Sequence, residues 1–215
     1  EILRSAMNAS LPHIPVIGCL PRAETLVLPA RHLGLVQALE HPDLEAFING
    51  AAGMIAEHID LEVLLSLAQP TIKAVTGKAG IPPLGQRIAI ACDAAFAFTY
   101  RHLLDGWQAA GAELRPFSPL ANEAPWLDAD AVYLPGGYPE LYAGQLATNT
   151  NFLNGLRDAA SRGACLFGEC GGYMVLGRSI TDAKGSHHTM AGLLGLETSF
   201  ESPRLHLGYR VASLA

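Results

Sequence analysis

Residues 164–176, Ala-Cys-Leu-Phe-Gly-Glu-Cys-Gly-Gly-Tyr-Met-Val-Leu, decide how the whole chain is read. An apolar run over 164–167 predicts a strand, and Tyr173-Met174-Val175-Leu176 can open a helix, so Cys170 falls on a tight strand-to-helix turn. Such a turn needs small neighbours, because the backbone bends sharply and an attacked carbonyl must come close. Gly168, Gly171 and Gly172 meet that need. A helix N-terminus beside the thiol favours thiolate and offers free N–H groups to an oxyanion. Cys170 is therefore a candidate nucleophile. The alternative, a buried inert cysteine, is the reading for Cys165 inside the strand.

Working outward, strands are expected over 87–92, 112–117 and 131–134, and helices over 99–110 and 151–162. Short buried strands alternating with helices call for a parallel sheet covered on both faces, an α/β fold. Ligands in such sheets bind beyond the carboxyl ends of the strands, which singles out the loops at Asp93, at Gly136-Gly137 and at 168–172. Adjacent glycines in Pro135-Gly136-Gly137-Tyr138-Pro139-Glu140 suit the second half of an oxyanion hole; in isolation an ordinary Gly-Gly turn is the favoured reading, and pairing with the cysteine turn strengthens the functional one.

The N-terminal part reads differently. Ile14-Pro15-Val16-Ile17-Gly18-Cys19-Leu20-Pro21 looks like a buried strand end. Leu44, Phe47, Ile48, Ala51, Ile55 and Ile59 recur at helical spacing behind an Asp43 N-cap. Asp60 can cap a second helix with Leu61, Leu64, Leu65 and Ala68 on one face, read as core packing. Three prolines and three glycines over 69–85 mark a boundary. Gly77-Lys78 within it fails as a phosphate loop, since Ile72 and Ala79 replace the first glycine and the magnesium-binding hydroxyl.

Composition limits the partners. The 215 residues are 50% hydrophobic and only 16% charged, against about 25% in an average protein, and the formal net charge is −6. No basic cluster suits nucleic acid or an anionic membrane, and no apolar run reaches the roughly 18 to 20 residues that span a bilayer. Cys19, Cys92, Cys165 and Cys170 lack Cys-x-x-Cys spacing, so neither a disulfide framework nor a structural zinc site is expected. Reduced thiols suggest a cytoplasmic protein with no metal held by this chain.

Arg31-His32-Leu33-Gly34-Leu35, Asp93-Ala94-Ala95-Phe96-Ala97-Phe98, Leu134-Pro135-Gly136-Gly137-Tyr138-Pro139-Glu140 and Gly168-Glu169-Cys170-Gly171-Gly172-Tyr173-Met174 together resemble the cobyrinic acid a,c-diamide synthases. The resemblance covers about residue 13 to the end. It implies a Rossmann-like parallel sheet of the class I glutaminase type over 86–215, cut short at its C-terminus. Before it would lie a helical connection and linker over 41–85, and over 1–40 the C-terminal remnant of a P-loop-type, dethiobiotin synthetase-like ligase domain. The implied activity is ATP- and Mg²⁺-dependent amidation of the a and c carboxylates of a cobyrinate-type corrin, with ammonia drawn from glutamine, in cobalamin biosynthesis. Cys170 would form a glutamyl thioester, and the N–H groups of Gly137 and Gly171 would hold the oxyanion. Arg22, Arg31 and His32 become candidate nucleotide or substrate contacts. The family's catalytic histidine is expected beyond residue 215, which would leave this stretch inactive on its own and with apolar surface exposed. His206 resembles a structural segment, and His187 and His188, with Asp182 and Lys184, are read as an exposed polar loop. The partners implied are the corrin, glutamine and the protein's own ligase domain, with a homodimer left open.

Three alternatives stand beside this reading. A cobyric acid synthase-type amidotransferase shares the Cys-Gly-Gly turn. An α/β-hydrolase shares the elbow, but the 45 residues after Cys170 are too few for its remaining strands. A glutaminase-like fragment that binds a partner domain without chemistry is the third.

Overall fold

A computed structural model describes residues 2–31, 34–69, 80–202 and 208–209. The chain divides into two compact units, Glu1–Thr76 and Gly77–Ala215.

The first unit contains α1 (Ile2–Ser10), a short antiparallel pair β1 (Ala30–Arg31) and β2 (Gly34–Leu35), α2 (Leu44–His58) and α3 (Leu61–Leu67). Both caps are the expected aspartates: Asp43 Oδ1 accepts from the Ala46 N–H at 3.0 Å, and Asp60 Oδ1 from the Val63 N–H at 3.0 Å. Each bond satisfies one of the backbone donors that the start of a helix leaves unpaired.

Two expectations need correction. Residues 14–20 form no strand; they make one bridge, Gly18 with Ile59, supported by bonds from Asp60 N–H to the Ile17 carbonyl (2.8 Å) and Cys19 N–H to the His58 carbonyl (3.3 Å). Pro15 within the run and Pro21 after it cannot donate to a ladder, so a longer pairing is interrupted. The α3 stripe is not core either: Leu61, Leu64 and Leu65 are exposed. The helical period is present, but none of the unit's described residues is buried, so among them no layer covers it.

The second unit follows the strand and helix alternation closely. In order come β3 (Arg87–Ala91), α4 (Arg101–Ala109), β4 (Glu113–Phe117), β5 (Ala131–Leu134), α5 (Ala143–Thr148), α6 (Thr150–Ser161), β6 (Cys165–Gly168) and α7 (Gly171–Leu176). The four strands are all parallel, in the order β4-β3-β5-β6. Side chains alternate across a strand. Ala89, Ala91, Val132 and Leu134 thus face one layer, with Phe96, Phe117, Phe152 and Leu156, while Ile88, Ile90, Ala131 and Tyr133 face the other, with Trp107. The central strands β3 and β5 are buried on both faces, which is why they read as unbroken apolar runs. β6 differs from expectation. Among the described residues it pairs only with β5, and Cys165 and Phe167 are exposed at the sheet edge.

A small second sheet follows, with β7 (Ser179–Thr181) between an antiparallel β8 (His187–Thr189) and a parallel β9 (Glu197–Ser199). The expected exposed loop at 182–188 is therefore a hairpin. Asp182 closes it: Oδ1 accepts from the Lys184 and Ser186 N–H groups, and Oδ2 lies 2.9 Å from His188 Nε2. His187 is exposed, but His188 is half-buried. Among the described residues no helix is long and apolar enough to cross a membrane.

Two measurements probe this architecture. Phe152 is fully buried and meets Phe96 and Phe117 with ring centroids 6.4 and 6.3 Å apart, so Phe152→Ala should destabilise the unit by about 3 to 5 kcal/mol in denaturant unfolding. The hydrogen bond from His188, then that from Ser186, holds the Asp182 carboxyl below its ordinary range. A depressed carboxylate adds stability above its unfolded pKa and loses it as pH falls through the folded value. In an NMR titration His188→Ala should move the Asp182 midpoint upward; an unmoved midpoint would contradict the assigned cause.

Candidate functional site

The chain runs from β3 outward to β4, then crosses back to place β5 on the other side of β3, so the strand order reverses between β3 and β5. Beyond the carboxyl ends at such a reversal lies the usual crevice of an open α/β sheet. Three loops leave that edge: 92–98 after β3, 135–138 after β5 and 169–170 after β6.

Cys170 flanks the N-terminus of α7 with φ +49° and ψ −114°. Among the described non-glycine residues only Asn122 shares a positive φ. A side chain in such a region costs on the order of 1 to 3 kcal/mol and persists only when its surroundings hold it. Here the turn is held from both sides. Glu169 N–H donates to the Leu134 carbonyl (3.1 Å), Gly172 N–H reaches the Pro135 (3.2 Å) and Glu169 (2.8 Å) carbonyls, and Met174 N–H returns to the Cys170 carbonyl (3.2 Å). These bonds require backbone against backbone. A Cβ on Gly172 would collide with the Leu134 carbonyl oxygen, and one on Gly171 with the Pro139 ring.

The Gly136-Gly137 turn lies directly against the cysteine. A Cβ on Gly136 would stand 3.3 Å from that of Cys170, and one on Gly137 would strike the Ala95 carbonyl oxygen. Neither the Gly137 nor the Gly171 N–H has an acceptor among the described residues. The thiol is exposed, with two free amide donors on the adjoining backbone. That combination suits attack on a carbonyl carbon and stabilisation of the resulting oxyanion.

Two supporting groups carried little sequence signal. The Glu169 carboxylate accepts a hydrogen bond from the Tyr133 hydroxyl. Tyr133 is fully buried, and burial first, then the bonded carboxylate, pushes its hydroxyl pKa far up, so it stays a donor. Its ring stacks on Phe167 (5.8 Å) and meets the edge of Trp107 (5.6 Å). A tyrosine inside an otherwise aliphatic strand was the available clue, because a buried phenol needs a partner. Asp93, flagged only as a loop position, is engaged by both carboxylate oxygens: Oδ1 accepts from Ala95 N–H (2.9 Å), Oδ2 from Ser118 Oγ (2.9 Å) and Leu120 N–H (2.8 Å).

Arg22 is exposed in the first unit and Arg31 is a residue of β1, while His32, Gly77, Lys78 and His206 lie outside the described residues. His188 Nε2 is occupied by Asp182. Cys165, expected to be buried, is exposed on β6, which among the described residues pairs only with β5. Among the described residues no group of three His, Cys, Asp or Glu side chains is arranged to hold a metal ion.

Comparison with known proteins bears on this geometry. A relative from Brucella abortus biovar 1 (strain 9-941), named hydrogenobyrinate a,c-diamide synthase, is 56% identical over 200 residues, covering 92% of this chain and 46% of its own. Proteins of the same name from Rhodobacter capsulatus (55% identical; 93% of this chain and 45% of the relative) and a Sinorhizobium species (54%; 97% and 48%) are similar. The chain thus spans about half the length of the curated relatives it matches. The model of the CobB/CobQ-like glutamine amidotransferase domain matches residues 87–213, a span that begins with β3 and takes in all three loops of the Cys170 site. With that match over more than half its length, the chain belongs to the CobB/CobQ-like glutamine amidotransferase family.

Proposed function

We propose that residues 86–215 release ammonia from glutamine, with Cys170 as nucleophile and the N–H groups of Gly137 and Gly171 as oxyanion hole. The left-handed turn at Cys170 carries this reading, because it sets an exposed Sγ beside two unengaged donors. The thiolate attacks the side-chain carboxamide carbon; a C–S bond forms and the carbonyl π pair moves onto oxygen, where the two N–H groups receive it. Collapse restores the carbonyl and breaks the C–N bond, and the protonated nitrogen leaves as ammonia. Water then cleaves the glutamyl thioester to glutamate. In this scheme a histidine, which the family resemblance places beyond residue 215, takes the thiol proton, returns it to the departing nitrogen and then takes a proton from the attacking water.

For the whole protein we propose glutamine-dependent synthesis of hydrogenobyrinate a,c-diamide in cobalamin biosynthesis. The support is the name shared by relatives 54 to 56% identical to this chain. In that scheme ATP with Mg²⁺ supplies the activation of the two acetate carboxylates. In that reading residues 1–40 are the end of the ligase domain that performs it, and Arg22, Arg31 and His32 are candidate contacts for its nucleotide or substrate. The absence of buried residues among those described in the first unit is what a remnant of a larger core would show. Exposed, unpaired Cys19, Cys92, Cys165 and Cys170 fit a reducing cytoplasm.

In the full-length protein Cys170→Ala should lower glutamine-dependent amidation by at least about 10³-fold while amidation from free ammonia persists. Retained glutaminase activity would overturn the assignment. Gly137→Ala drives a Cβ into the Ala95 carbonyl and displaces one donor. Its kcat for glutamine hydrolysis should fall by about 10² to 10³.

A further inference from the structure

The Gly136-Gly137 peptide is the weak point of the site. The Ala95 carbonyl excludes a Cβ from Gly137, and one on Gly136 would crowd the Cys170 Cβ at 3.3 Å. A peptide between two glycines meets little steric resistance to flipping, and a flip would replace the Gly137 N–H with a carbonyl oxygen that repels an oxyanion. Something must hold it.

In a planar trans peptide the C=O and the following N–H point in opposite directions. The Gly136 carbonyl accepts from the Phe98 N–H at 2.9 Å, in an isolated antiparallel bridge between the two loops. That one bond therefore aims the Gly137 N–H away from the 93–98 loop. A flip would break the bond and leave the Phe98 donor unpaired.

The 93–98 loop is held in turn. Asp93 receives Ala95 N–H on Oδ1 and Ser118 Oγ with Leu120 N–H on Oδ2, so one carboxylate fastens the end of β3 to the segment after β4. Phe96 N–H bonds the Asp93 carbonyl (3.1 Å), and the Phe96 ring is fully buried against Phe152. At the far end the Phe98 ring meets Tyr138 edge-on at 5.1 Å, next to the glycine turn itself. Loop and turn are thus joined at Ala95–Gly137, Phe98–Gly136 and Phe98–Tyr138.

We propose that Asp93 is a positioning residue that acts through the 93–98 loop to lock the Gly136-Gly137 peptide in its oxyanion-binding orientation. The proposal rests on the glutaminase reading above. The hole is then already formed in the free enzyme, and Asp93 contributes to the tetrahedral stage of the reaction without touching glutamine.

The test uses the full-length protein and two reagents for Cys170. Glutamate γ-semialdehyde forms a tetrahedral thiohemiacetal that needs the hole, whereas iodoacetamide alkylates the thiol without developing charge on an oxygen. Asp93→Ala should lower kcat for glutamine hydrolysis about 10- to 100-fold and weaken the aldehyde adduct by a similar factor. KM and the iodoacetamide rate should change by no more than about threefold. Ser118→Ala, which removes one of the three bonds, should show the same pattern at smaller size and covers the case in which Asp93→Ala does not fold. Phe98→Pro deletes the donor itself and should fall at least about tenfold further than Phe98→Ala, which keeps the N–H. Folded variants with unchanged adduct affinity would overturn the lock, as would equal losses with both reagents, which would mean a disturbed cysteine turn. If the unaltered protein forms no aldehyde adduct at Cys170, the glutaminase reading fails instead.

Discussion

The contact on which the site depends is backbone against backbone, where the end of β5 meets the turn that follows β6. Gly172 donates to the Pro135 carbonyl and Glu169 to the Leu134 carbonyl, at a separation that admits no Cβ on Gly172. These bonds hold Cys170 at a positive φ, a conformation its own side chain disfavours. They also bring the Gly136-Gly137 turn to the thiol. Cys170 and the Gly136-Gly137 turn are therefore brought together by one packing event, and a side chain intruding there would displace both.

Around this contact the two faces of the sheet carry different duties. The layer of Phe96, Phe117, Phe152 and Leu156 anchors the 93–98 loop from below through Phe96. The opposite layer, with Trp107, buries the Tyr133 ring, whose hydroxyl binds Glu169 next to Cys170. Hydrophobic burial thus acts on the site from one face through the Phe96 ring and from the other through the Tyr133–Glu169 hydrogen bond.

Much of the second unit was legible in the residues. The period of the apolar runs located β3, β4, β5 and β6 within a residue or two, because buried parallel strands and the helices between them differ sharply in spacing. Glycine spacing located the turn at Cys170. The first unit was less legible: residues 14–20 and the α3 stripe read as buried, yet burial depends on what lies opposite, which a local pattern does not contain. His188 was misjudged for a related reason. Its partner Asp182 is six residues away, and only hairpin closure brings them to 2.9 Å.

The sequence by itself determined the alternation of elements, the caps at Asp43 and Asp60, and the glycines that permit a sharp turn at Cys170, since all of these follow from local spacing and backbone sterics. Tertiary structure alone decided which groups meet. Strand order β4-β3-β5-β6 places the loop after β3 beside the turn after β5, 38 residues apart at Phe98 and Gly136. It also brings the Tyr133 hydroxyl to Glu169 and Ser118 to Asp93. These pairings are long-range and polar, and their energies depend on distance and burial that only the folded sheet supplies.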